Sequence, residues 1–260
     1  MTDPVHLDVA EGIATILLDR PQVGNVIDVD MAQALLDAVK RCDLDPAVRC
    51  VVLTGAGKMF CAGGDVQAFA AAGDDVRELI EAITTPLHDA IVRLTRMPKP
   101  LVTMINGAAA GAGLGLALLG DLAVAAQSAK FSAGYGGLGF TPDAGVSWLL
   151  PKLVGLRKAQ QMLISGERID GREAERIGLV SLTVDDDELN DVAMSLASRM
   201  THQSGDALMK TRNLMYQGYH TDLSGHLANE AMFIGNASQL ENGREGVRAF
   251  VEKRKPIFKF

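Results

Sequence analysis

An α/β fold on a mostly parallel sheet is predicted by two features of the 260-residue chain. Short runs rich in Val, Ile and Leu alternate with amphipathic helical patterns as far as Leu182, and after about Asp185 the strand signals cease. Residues 12–18 and 49–54 are the first apolar runs. Between them lies a helical pattern over 30–42 with Met31, Leu35, Ala38 and Val39 on one face. The next helix is expected to open at Thr85-Pro86, the threonine capping and the proline taking the first helical position, and to stop before Met97-Pro98-Lys99-Pro100. Residues 101–106 then form a strand, 111–119 a buried helix and 122–126 another strand. Four helical patterns close the chain, over 187–200, 205–216, 222–238 and 243–253. The expected organisation is a β-rich body, 1–185, and a helical region, 186–260, whose Met209, Met215, Met232 and Phe233 suit either self-association or a core of its own.

A hydrophobic content of 48% at this length supports a sizeable core. The formal charge of −7, without a basic block, argues against binding nucleic acid or an anionic membrane surface. Lys253, Arg254 and Lys255 form a local basic cluster, which suits a small anionic ligand or a solvated helix end. Cys42, Cys50 and Cys61 lack metal-ligand spacing, and Cys50 lies in an apolar run where a buried, inert thiol is expected. No metal site is expected. The first twelve residues carry no basic region followed by an apolar core, so no secretory signal is visible and a cytoplasmic protein is expected. The nearly uncharged stretch 107–126 is rich in Gly and Ala, contains Asp121 and lacks aromatic anchors, so it is expected to be core rather than a membrane span.

Two glycine-bearing turns carry the chemistry. Phe60-Cys61-Ala62-Gly63-Gly64-Asp65 and Asn106-Gly107-Ala108-Ala109-Ala110-Gly111-Ala112-Gly113 each follow an apolar run. Small residues let backbone approach a ligand, and a chain passing from strand to helix leaves amide N–H groups without partners. Two such amides facing one pocket can hold an oxygen that becomes negative during reaction. Asp143, between Pro142 and the apolar segment 144–150, is the candidate proton carrier. Asp143 before Ala144-Gly145-Val146 also suits a helix N-cap. The run Gly111-Ala112-Gly113-Leu114-Gly115-Leu116 fails as a dinucleotide fingerprint, because its third glycine falls on Leu116.

Together these turns, the segment 100–115 and Gly139-Phe140-Thr141-Pro142-Asp143 resemble the crotonase superfamily, the enoyl-CoA hydratase/isomerase fold. The resemblance reaches from Gly12 through Glu245-Gly246-Val247-Arg248-Ala249-Phe250 and Lys253-Arg254. It implies a spiral of ββα units with a C-terminal helical trimerisation region, assembled as homotrimers or dimers of trimers. It also implies a coenzyme A thioester substrate, no further cofactor, and an oxyanion hole formed by the Gly64 and Ala112 amides. Each such donor is worth about 3 kcal/mol where water is excluded. Ala62, Gly63, Asp65 and Phe140 are expected near the substrate.

Two departures narrow the chemistry. The glutamates with which hydratases of this family hold water correspond to Gly115 and Tyr135, and neither side chain is a carboxylate. Asp143 stands instead where several relatives, including enoyl-CoA isomerases, carry a lone aspartate. Leu138, Phe140 and Trp148 are expected to shield it from water. His88 and Tyr135 resemble acyl-pocket positions of the dehalogenase branch, although a solvent-facing or core histidine is the commoner fate of an isolated His. The reading is an isomerase of an enoyl-CoA or a related CoA ester, with hydratase and a non-catalytic acyl-CoA-binding protein as the alternatives. The acyl pocket is expected from 66–84 and the helical tail, with the Ala-rich 68–73 as a loop over it.

Overall fold

The protein is described by a computed structural model over residues 3–259. All four strands expected from the apolar runs form, as β2 (Ile13–Leu18), β3 (Cys50–Gly55), β5 (Leu101–Ile105) and β7 (Leu122–Ala126), hydrogen-bonded in that order and parallel. An antiparallel edge strand, β1 (Val5–Ala10), and a short parallel one, β10 (Leu182–Val184), complete a six-stranded sheet. Every residue of β3 and β5 is buried, as a parallel sheet covered on both faces requires.

One face is covered by α1 (Val29–Leu44), α3 (Val76–Arg96), α4 (Ala112–Leu118) and α5 (Val146–Ile164). Helix α1 starts at Asp28, whose carboxylate accepts from the Met31 amide at 2.9 Å, and it buries Met31, Leu35, Ala38 and Val39 as their spacing predicts. Its C-terminal carbonyls are held by the buried Lys99 ammonium, which reaches Cys42 O, Asp43 O (3.1 Å) and Asp45 O (2.7 Å). The other face is covered by α7 (Leu189–Thr201), with Ala193 and Ala197 packed among Cys50, Val52, Val102 and Val124. The first helix after residue 185 thus belongs to the core, and the tail leaves the body only beyond Thr201.

Helix α3 departs from its expected start. It runs through Pro86, and the Thr85 hydroxyl caps nothing; it donates back to Glu81 O at 2.7 Å, as Thr84 does to Ile80 O at 2.8 Å. An interior proline costs about 3 kcal/mol. Ile83, Leu87, Ala90, Ile91 and Leu94 are buried along the same helix, at about 1.5–3 kcal/mol for each large side chain, so burial outweighs the local break. The Ala-rich stretch is likewise not a loop. It is α2 (Val66–Ala72), whose first amides, Gln67 and Ala68, donate to the Asp65 carboxylate at 3.0 Å each.

A second sheet lies across the strand ends. It consists of β4 (Met59–Cys61), β6 (Ala108–Ala110), β8 (Lys130–Ser132) and β9 (Ile169–Asp170), the first three parallel. Each long strand is followed by a short one and then by helix: β3-β4-α2-α3, β5-β6-α4, β7-β8-α5. This repeat is the spiral that the resemblance implies. After β9 come α6 (Gly171–Arg176) and then β10, and the tail is α8 (Gly205–Gln217), α9 (Leu223–Gln239) and α10 (Glu241–Val251). In the tail Met209 and Phe233 are half-buried, Met215 and Met232 exposed. Among the described residues no helix is long and apolar enough to cross a membrane.

Two charged clusters order the tail, the first within it and the second joining it to the body. Arg254, from the basic cluster, pairs with Glu245 at 2.6 Å and Glu252 at 2.6 Å, and Glu245 also accepts from Arg248 and the Ile257 amide. It is therefore a structural arginine. These donors hold the Glu245 carboxyl well below the usual carboxylate range, the Arg254 hydrogen bond being the largest cause. Arg212 of α8 is buried; its guanidinium binds both oxygens of Asp121, with Nε at 2.7 Å, and donates to Thr95 O, Met97 O and Lys99 O at 3.0–3.1 Å. Asp121 in turn accepts from the Leu101 amide at 2.8 Å, so one fork joins the tail to the end of α3 and the start of β5. Arg212→Met should destabilise the chain by about 3–5 kcal/mol in denaturant titration, because it leaves Asp121 and three carbonyls without their donor. Arg212→Lys should recover only part, lacking the planar fork.

Candidate active site

Parallel pairing of the short strands places the glycine turns side by side. Met59 is opposite Ala108 and Cys61 opposite Ala109, while Ala109 and Ala110 face Phe131 and Ser132. Three strand ends therefore open toward one place, and the residues that follow them, Gly64, Ala112 and Tyr135, line one cavity of about 450 Å³. Ligands gather at the carboxyl ends of parallel strands because there the backbone has amides to spare.

The turns hold their shape through backbone that only glycine adopts easily. Gly63 has φ 94° and Gly111 φ 54°. A Cβ on Gly63 would stand 2.7 Å from Ala110 O and 3.3 Å from the Ala112 nitrogen, so a side chain there would force the two turns apart. The approach to the first turn is fixed by the buried Asn25. Its Nδ2 donates to Met59 O at 2.8 Å and Ala56 O at 3.0 Å, and its own carbonyl accepts from the Cys61 thiol at 3.1 Å. Burial pushes that thiol up to about 12, so Cys61 is a packed, protonated group. The amides of Gly64 and Ala112 donate to no other described residue, whereas Gly63 N–H goes to Cys61 Sγ and Gly111 N–H to Ser132 O. The two free donors are the two expected as an oxyanion hole.

Asp143 reaches the same cavity. The chain passes from it into α5 through two left-handed residues, Ala144 (φ 48°) and Gly145 (φ 76°). For alanine that conformation costs about 1–2 kcal/mol. The turn takes Asp143 off the helix axis: Gly145 is the N-cap residue, and no side chain caps α5. The carboxylate instead accepts from the Tyr135 hydroxyl at 2.6 Å. The backbone carbonyl of Tyr135 receives the amides of Leu138 (3.0 Å) and Phe140 (3.1 Å), which folds 136–142 back so that residues eight apart meet. Burial first, and then the adjacent Asp143 charge, raise the Tyr135 phenol well above the usual tyrosine range.

Gly115 explains why a second acid is missing. A Cβ there would lie 2.5 Å from Ala144 O and 2.8 Å from Ala144 Cβ. The strained residue after Asp143 occupies the space a side chain at 115 would need.

The other expected positions divide. Ala62 and Phe140 line the cavity, Phe140 with its ring 6.1 Å from that of Phe69. Gly63 lies behind the lining as a spacer, and the Asp65 carboxylate is spent on capping α2. His88 is exposed and off the cavity, because the neighbouring Leu87 takes the inward position on α3. Leu138 lines the cavity, but Trp148 does not: it lies in the first turn of α5, its ring 5.1 Å from that of Tyr216 and tilted to it, with Lys152 over its face. No tail residue lines the cavity among those described. Its far wall is Ile80, Ile83 and Leu87 of α3. Their spacing of three and four is a helical signal, hidden by starting that helix at Thr85.

Comparison with known proteins shows the family. The family model described as enoyl-CoA hydratase/isomerase matches residues 8–260. The "Probable enoyl-CoA hydratase" of Rhodobacter capsulatus is 37% identical, over 98% of this chain and 97% of its own length. The 1,2-epoxyphenylacetyl-CoA isomerase of Escherichia coli K12 is 35% identical over 96% of each. The crystal structure of an enoyl-CoA hydratase from Polaromonas sp. JS666 superposes with a TM-score of 0.92 at 31% identity, covering 97% of this chain and 98% of that one. Matched by the family model over nearly its whole length, and by relatives of like length and fold, the chain belongs to the enoyl-CoA hydratase/isomerase family.

Proposed function

We propose that the chain is an enoyl-CoA isomerase, moving a double bond of a coenzyme A thioester from the β,γ to the α,β position. The observation that carries this reading is Asp143, the one carboxylate on the cavity wall among the described residues. It shares that wall with the two free amides. The thioester oxygen sits between Gly64 N–H and Ala112 N–H. Asp143 takes a proton from the carbon next to the carbonyl, and the bonding pair moves into the thioester, leaving negative charge on its oxygen. As that charge returns, the former β,γ double-bond pair takes the proton back at the γ carbon and a double bond forms between α and β. Nothing is oxidised and no atom is gained, so the route calls for neither a metal nor a redox cofactor. A cytoplasmic setting fits the three buried free thiols.

The relatives' names are split between isomerase and hydratase, and the second reading is hydration of a conjugated enoyl-CoA. Against it, a water to be added needs a base and an acid on its far side, and Gly115 and Tyr135 supply no carboxylate. A homotrimer or dimer of trimers is part of the proposal. Leu223, Leu227, Ile234, Val247 and Phe250 of the tail are more than half exposed in the single chain, as they would be if another subunit covered them. A monomeric mass by light scattering at micromolar concentration would overturn that part.

Incubation with 3-enoyl and 2-enoyl CoA esters in D2O, followed by product analysis, should show migration of the unconjugated double bond. Hydration of the conjugated esters without migration would overturn the isomerase reading. Asp143→Asn should lower turnover about a hundredfold or more with little change in affinity for an acyl-CoA. Unchanged turnover would remove Asp143 from the reaction, and equal acyl-CoA binding by both forms with no turnover by either would leave only a binding protein. Gly115→Glu should not create a hydratase. Its side chain must displace Ala144, so isomerisation should fall at least tenfold and stability by about 1–3 kcal/mol, read from parallel assays and melting curves.

A further inference from the structure

We infer that Tyr135 is a positioning residue for the reaction, fixing Asp143 in one orientation and leaving a single carboxylate oxygen to work on the substrate. The inference rests on the isomerase reading and adds a division of labour within the carboxylate. Tyr135 Oη donates to Oδ1 at 2.6 Å, a short charge-assisted bond, and no other described residue bonds this carboxylate. Oδ2 is the oxygen left for the proton.

The phenol is well placed to hold rather than to react. Tyr135 is buried, and its main chain is tied by the Leu138 and Phe140 amides, so the ring is a fixed post. Its hydroxyl is kept protonated by burial and by Asp143, so it remains a donor wherever Asp143 is charged. Nothing else facing the pair competes for that role. Helices α2 and α4 present no ionisable side chain, and α3 presents Ile80, Ile83 and Leu87, with His88 turned to solvent. Lys152 of α5 lies over Trp148, and the Cys61 thiol is protonated. An aspartate following neither strand nor helix, with two left-handed residues after it, has no regular backbone of its own to set its direction. The Tyr135 bond supplies that direction, and misplacing a reacting group by about 1 Å can cost a hundredfold in rate.

The test replaces the hydroxyl and keeps the ring. Tyr135→Phe should lower kcat between tenfold and a hundredfold, with KM within twofold and the melting temperature close to that of the parent. Unchanged kcat would overturn the inference, as would a rise in KM alone, which would make Tyr135 a substrate contact. A matched pair settles the matter should phenylalanine unfold the chain: 4-aminophenylalanine at 135 keeps a donor, and 4-methylphenylalanine has the same size without one. The amino variant should be at least fivefold faster. Equal rates for the two would overturn the inference. Failure of the underlying reading looks different, since the parent itself would then move no double bond in 3-enoyl CoA esters, whatever stands at 135.

Discussion

The parallel pairing of three three-residue strands, β4, β6 and β8, is the constraint on which the site depends. Strands this short contribute little stability by themselves. They are held because each is the continuation of a long, buried strand of the larger sheet, which delivers it to its neighbour in register. Once β4 lies beside β6, the turns after them share an edge, and Gly64 and Ala112 need no further device to face one cavity. The third strand brings Tyr135 by the same geometry. On the proposed route the donors are thus set by main chain, which does not reorganise when charge appears, rather than by side chains that would have to be ordered at each turnover.

Close backbone approach at this edge comes with conformational cost, and the costs are concentrated where the chemistry is. Gly63 and Gly111 adopt positive φ, and Ala144 does so with a Cβ to accommodate. None of these is compensated locally. Gly63 is held by the contact of its turn with Ala110 and Ala112, and Ala144 by its carbonyl lying against the bare face of Gly115 in the wholly buried α4. Gly115 therefore has two consequences at once. It removes a side chain from the cavity, and it gives the strained turn after Asp143 a surface to rest on.

Much of this was legible in the sequence, and the rest fails for identifiable reasons. Strands β2, β3, β5 and β7 announce themselves as apolar runs of five or six residues. Ala108–Ala110 has neither the length nor the branched side chains to signal a strand, and becomes one only because Met59–Cys61 and Lys130–Ser132 flank it. The repeat of long strand, short strand and helix is invisible for the same reason. Thr85-Pro86 reads as a helix start by local chemistry, but tertiary burial of Ile83 and Leu87 carries the helix through it. Asp143 could be named from its setting, yet neither its bond to Tyr135 nor the turning away of Trp148 follows from spacing. Both depend on two successive left-handed residues, one of them an alanine that no local rule would place there.

The charge balance of the cavity shows why one acid is a sufficient complement on the proposed route. Before reaction the negative charge lies on Asp143; after proton abstraction it lies on the thioester oxygen. The cavity never holds more than one such charge, and each end of its path has fixed donors: the Tyr135 hydroxyl at one, the Gly64 and Ala112 amides at the other. A second carboxylate in the same apolar enclosure would repel the enolate as it formed, and two acids this close tend to share a proton rather than both ionise. Replacing one glutamate position by glycine and the other by a phenol removes that repulsion while keeping a donor. The same substitutions that leave water without a base therefore make the transfer of a proton along a single acyl chain easier to sustain.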